Sequence, residues 1–203
     1  MSPLRKLFGP SREEIWRQLS ADLGATYVDG GAWKGDKVQA RHGEWVVTLD
    51  TYTVSTGKSH VTYTRMRAPY VNPDGFRFTI YRKGLFTGIG KLLGMQDVEM
   101  GEEQFDAAFV IKTTDEGRLR SLLSNDRLRS LIAAQKSIYL SVKDNEGHFG
   151  PSFPENVDEL YFQVTGVIED SERLKALYDL FGVMLDELCR IGAAYETAPD
   201  MSL

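Results

Sequence analysis

The 203-residue chain has one cysteine, Cys189, which rules out an internal disulfide and any zinc site built on several thiolates. A reducing compartment suits that usage. Three histidines, His42, His60 and His148, have none of the paired spacing that a metal site on one element needs. Long apolar runs are missing too. No segment reaches the ~18 apolar residues of a membrane-spanning helix. The opening "MSPLRKLFGPSREEIW" lacks the apolar stretch of about 7–15 residues of a signal peptide. The expectation is therefore a cytoplasmic protein. Basic excess is absent as well: the net charge of -5 argues against a partner neutralised phosphate by phosphate, so no nucleic acid is expected. No G-x-S-x-G elbow or Ser/His/Asp order points to a hydrolase.

What is present reads as one α+β domain over residues 1–203, with no linker and with 1–10 and 197–203 as flexible tails. "SREEIWRQLSADLGA" opens on a capping box, Ser11 with Glu14, and closes on Gly24. Ile15, Trp16, Leu19 and Leu23 share one face of the helix between them. The period then falls to two. "KVQAR", "EWVVTLDTYTV" and "SHVTYTRMRAP" are strands joined through a His42-Gly43 turn and the turn "STGK". "FRFTIYRK" alternates, with Phe76, Phe78 and Ile80 on one side and Arg77, Thr79 and Tyr81 on the other. Such a strand has one buried and one wet face and belongs to an antiparallel sheet. "EQFDAAFVIKT", "SIYLSVK" and "ELYFQVTGVI" read as further strands.

Helical spacing returns in "DEGRLRSLLSNDRLRSLIAAQ", a pair of short helices broken at Ser124-Asn125. "SERLKALYDLFGVMLDELCRIGAAY" then carries a wide apolar stripe that must cover the sheet. The expected architecture is a mainly antiparallel sheet of about seven or eight strands. On it pack an N-terminal amphipathic helix, a mid-chain helix pair and a long C-terminal helix.

Residues 84–90, "GLFTGIG", with Tyr139 and Lys143 at Y-x-x-x-K spacing, resemble the cofactor loop and catalytic pair of short-chain dehydrogenases. The resemblance implies NAD(P)-dependent oxidoreduction, but the context opposes it. The strand entering such a loop should be continuously apolar, and "FRFTIYRK" alternates. The family's tyrosine and lysine meet across a helical turn of about 6 Å, whereas four residues of strand span roughly 13 Å. "STGKS" ends like a phosphate-binding loop, yet Tyr52 stands where its first glycine belongs, and a hairpin turn explains it. Asp97, Glu99, Glu102, Glu103 and Asp106 form a solvated acidic turn, because Gly101 and Ala108 occupy calcium-ligand positions. Arg118, Arg120, Arg127 and Arg129 read as solvated helix surface. Cys189, beside the last apolar stripe, reads as a small buried hydrophobe. No metal or cofactor is expected.

Leu85, Phe86, Ile89, Leu92 and Leu93 fall on one face of a short helix bordered by Arg82, Lys83 and Lys91. Packing on the sheet is the first reading of that segment, and an interfacial helix meeting anionic lipid is the second. The candidate binding residues are Arg82, Lys83, Leu85, Phe86, Ile89 and Lys91. From Gly94 onward, "GMQDVEMGEEQFDAAFVIKTTDEGRLRSLL" resembles uncharacterised bacterial families of unknown function in which Q-D-[VI]-E-x-G-x-x-x-F-D precedes a strand and a leucine-rich helix. The resemblance implies no catalytic residue. It covers about thirty residues, within which Phe105 and Phe109 are expected to bury and Asp106 to cap or turn. The functional expectation is a non-enzymatic bacterial domain that binds a protein partner or itself through a sheet edge or helix surface. The alternative is a peripheral membrane or lipid-binding module using residues 82–95, and the third an NAD(P)-dependent oxidoreductase.

Overall fold

The computed structural model describes residues 10–31, 35–55, 57–84, 94–144, 153–199, 201 and 203. Ser11 caps α1 (Arg12–Leu23): its hydroxyl accepts from the Glu14 amide at 3.2 Å, and the Glu14 carboxylate accepts from the Ser11 amide at 3.0 Å. Gly24, at φ 61°, ends the helix in the left-handed conformation that costs glycine least. A meander follows: β1 (Thr26–Val28), β2 (Lys37–His42), β3 (Trp45–Ser55) and β4 (His60–Val71). Then come β5 (Phe78–Arg82), β6 (Gln96–Asp97), α2 (Glu103–Ala108) and β7 (Phe109–Thr113). The chain continues through α3 (Glu116–Leu122), α4 (Asp126–Ala133), β8 (Tyr139–Lys143), β9 (Val157–Thr165) and α5 (Ser171–Arg190).

The strands form one sheet in the order β1-β2-β3-β4-β9-β8-β5-β7-β6, and every neighbouring pair is antiparallel. The α+β class and the helix placement agree with the sequence reading. The sheet has nine described strands rather than seven or eight because β1 and β6, of three and two residues, are too short to show a period. One segment differs more. "EQFDAA" is helical and strand β7 begins only at Phe109. Phe105 and Phe109 are four apart, so one helical turn brings their rings to 4.7 Å in a tilted contact with both side chains buried. The Asp106 carboxylate accepts from the amides of Met100 and Gly101 at 2.7 and 2.8 Å, folding the chain back before the strand.

Register makes the core. Val38, Leu49, Met66, Phe162, Leu140, Ile80 and Ile111 stand side by side across seven strands, and none exposes more than 2% of its surface. They join one hydrophobic cluster with Trp16 and Leu19 of α1, Leu128 and Ile132 of α4, and Leu177, Phe181 and Leu185 of α5. The break between the paired helices falls where the sequence places it, with Asn125 capping α4 through the Leu128 amide.

Near one end of the sheet α5 approaches very closely. A Cβ on Gly182 would lie 2.9 Å from the His42 ring, whose Nε2 is 2.8 Å from the Asp186 carboxylate. Gly182→Ala gains about 1 kcal/mol of helix propensity but collides with that ring. It is expected to lower the melting temperature in the native background and to raise it in His42→Ala, a sign change read directly from a thermal double-mutant cycle.

Candidate functional site

The face of the sheet away from the core carries a continuous polar register. Gln39, Thr48, Arg67, Tyr161, Ser141, Thr79, Lys112 and Asp97 are neighbours across eight strands. Beside them runs a second row of Lys37, Asp50, Arg65, Gln163, Tyr139, Tyr81 and Val110. This face was expected to be wet, but its central row is not. Thr48, Arg67, Tyr161, Ser141 and Thr79 are all buried. Long side chains lie down over the sheet and are paired rather than hydrated. The Lys143 ammonium sits 3.1 Å from the centre of the Tyr161 ring, and the Met95 sulfur accepts from Thr79 at 3.8 Å. Ala198, Pro199, Met201 and Leu203, in the segment expected as a tail, line a 240 Å³ cavity on the same face with Thr48 and Pro69.

Its electrostatic centre is Asp50. Arg65 grips the carboxylate with two bonds, at 2.7 and 2.9 Å, and Arg67 adds a third at 2.6 Å. Burial pushes this carboxyl up, but the hydrogen bonds and charges of Arg65 and Arg67 outweigh it and hold the group below the usual carboxylate range. The Tyr52 and Tyr161 hydroxyls both donate to Gln163 Oε1, at 2.7 and 2.6 Å, and the Arg65 guanidinium lies over the Tyr52 ring. Burial pushes the Tyr52, Tyr139 and Tyr161 phenols up, so all three stay protonated at neutral pH. The arrangement is a rigid mutual network in which each group holds its neighbour.

Tyr139 and Lys143 share this face, as strand spacing requires, with the ammonium 6.0 Å from the Tyr139 ring centre and much nearer Tyr161. The strand that leads toward "GLFTGIG" has antiparallel partners on both sides, not the parallel neighbours of a dinucleotide fold. Of the candidate binding residues, Leu85, Phe86, Ile89 and Lys91 lie outside the described residues. Arg82 and Lys83 are described, and both serve the fold. Arg82 donates to the Ala133 and Gln135 carbonyls at the end of α4 and covers the Phe109 ring, and Lys83 donates to the Asp106 carbonyl at 2.6 Å. Three of the four arginines of the helix pair are also engaged, Arg118 with Asp74, Arg120 with Glu116, Arg129 with Glu102 and Asp126, while Arg127 is exposed. Among the described residues no group of three His, Cys, Asp or Glu is placed to hold a metal ion. No described helix is long and apolar enough to cross a membrane.

The open end of the sheet differs in kind. β3 and β4 are 11 and 12 residues long, while β2 has 6, and the β2 ladder stops at Lys37 opposite Asp50. Among the described residues the β3–β4 hairpin therefore runs on past β2, with Gly166 bridging only its base at Tyr63, and is held by a Tyr52–Tyr63 stack at 5.2 Å and a Thr53–Thr62 hydroxyl bond at 2.9 Å. Gly57, at φ 73°, makes its turn. Of the four exposed large hydrophobics among the described residues, Val28, Val54 and Val167 all lie at this end. Sequence reasoning found both strands but not the overhang, which depends on where β2 stops.

Fold and surface together define an α+β sheet domain, helices on one face and an ion-paired, tyrosine-rich layer on the other. No family model matches the chain, and no curated protein matches it. Among solved structures the chain is similar in fold to the crystal structure of the mycobacterial trehalose monomycolate transport factor A, TtfA. The TM-score is 0.51 at 10% identity, over 94% of this chain and 100% of that one. At that identity the likeness is one of fold.

Proposed function

We propose that this is a non-catalytic domain, of the bacterial kind its Q-D-V-E-x-G-x-x-x-F-D segment resembles, that binds protein through the open end of its sheet. The observation that carries the reading is the β3–β4 ribbon, a strand edge beyond β2 flanked by exposed valines. The paired state of Asp50, Arg65 and Arg67 supports it further, because groups locked to one another serve architecture better than turnover. A photo-crosslinking residue at position 54, in cells, is expected to give a protein adduct that the same residue at exposed position 127 does not. No adduct from position 54 sinks the reading.

A second reading, a polar-headed lipid as ligand, is favoured by the fold likeness to the mycobacterial trehalose monomycolate transport factor A. Arg82 and Lys83 weigh less for it than the sequence suggests, since both are occupied by backbone carbonyls. Flotation with phosphatidylcholine vesicles, with and without phosphatidylglycerol, separates the two. Binding at low salt to the anionic vesicles alone would move the assignment to lipid.

A further inference from the structure

We infer that the partner of the ribbon is a second copy of this chain, paired edge to edge through β3 residues Thr53–Ser55 about a two-fold axis. This rests on the protein-binding reading above and names its partner. Between Thr51 and Thr64 the sequence holds one Lys, Arg, Asp or Glu, which is Lys58, in a chain where such residues make up 26%. An edge with Lys58 as its lone charge offers a charged partner little to recognise and lacks the run of charges by which edge strands avoid their own kind. Thr53, Val54 and Ser55 are exposed, and threonine and valine are β-prone.

Antiparallel pairing of an edge with itself is isologous, so the residue on the axis meets its own symmetry mate, its neighbours pair reciprocally, and the contact closes at two copies. Centred on Val54, it sets Thr53 against the second copy's Ser55 and stacks the two exposed valines. The tip of each ribbon then reaches the foot of the other. Lys58 is at the tip. At the foot, just past β1, stands Asp29, whose side chain is 66% exposed and whose ion pair with Arg17 is long, at 3.7 Å. The lone ribbon charge thus approaches one of opposite sign, and the rest of each molecule lies on opposite sides of the axis.

Sedimentation velocity of the purified full chain across a concentration series tests this. The mass is expected to rise from one chain to two, and the outward-facing amides within Thr53–Ser55 to gain hydrogen-exchange protection in step. Val54→Lys, at an exposed edge position, should stay at one chain while keeping the native thermal transition; Ser55→Lys serves if it does not. A one-chain mass at every concentration overturns the inference, as does a Val54→Lys protein that pairs like the native one. The mass of the position-54 adduct in cells distinguishes the two levels of argument. Twice the chain mass supports self-pairing, another mass overturns it while the protein-binding reading stands, and no adduct removes both.

Discussion

Asp50→Ala is expected to lower the unfolding free energy by about 3 kcal/mol, the lower end of the range for breaking a buried ion pair by removing one partner. The carboxylate is the shared acceptor of Arg65 and Arg67, and its loss takes a hydrogen-bonded counter-charge from the Arg67 guanidinium, which is only 5% exposed. Arg65 keeps more water, with 19% of its side chain exposed, and moderates the effect. Urea denaturation at neutral pH measures it. The pH dependence has a definite sign. The folded-state pKa of Asp50 is depressed, so its contribution is complete above the unfolded value of about 3.9 and is lost as pH falls through the folded value. Asp50→Asn should therefore show a shallower loss of stability in acid than the native protein. An alanine variant as stable as the native chain would mean that the three-residue cluster is a surface ornament.

The second large effect belongs to the core. Phe162 stands on β9 between Met66 and Leu140 with no exposed surface, at the middle of the apolar row that the helices cover. Phe162→Ala should cost about 3–5 kcal/mol, transfer and cavity contributions together. That is a large share of the roughly 5–15 kcal/mol typical of a domain. The variant's urea midpoint should fall sharply with an unchanged slope, whereas Phe162→Leu loses much less. β9 is the strand that joins the first meander to the second half of the sheet, so the loss should be felt across the whole transition. A biphasic unfolding curve would show instead that the two halves of the sheet are separately stable.

Local chemistry was legible in the sequence wherever a few neighbouring residues suffice. Ser11 and Glu14 announce α1, Gly24 its end, Gly57 a hairpin, and Asn125 the break between α3 and α4. Where short range left two answers the reading went astray. The spacing of Phe105, Phe109 and Ile111 suits a strand until Asp106 reaches back to the Met100 and Gly101 amides and makes the first part a helix. β1 and β6 carry no period of their own and exist because a longer neighbour offers them an edge.

The outer face was beyond reach for a different reason. Asp50, Arg65, Arg67, Tyr139, Tyr161 and Gln163 come from four strands separated by up to more than a hundred positions. No spacing along the chain connects Tyr52 to Gln163, which are bonded at 2.7 Å. The alternation of Tyr63, Arg65 and Arg67 in "VTYTRMR" was the available signal, and it says only that these side chains share a face.

The sequence by itself determined the class of the fold, the helices that cover the sheet and the poverty of charge in "TYTVSTGKSHVTYT", because periodicity and composition are properties of the chain. Only the tertiary structure decided which polar residues meet across the strands, that Arg82 and Lys83 hold carbonyls, and that β3 outruns β2 to leave an edge. Strand register and strand length are settled between segments, by which residues must share the buried face, and no single segment contains that information.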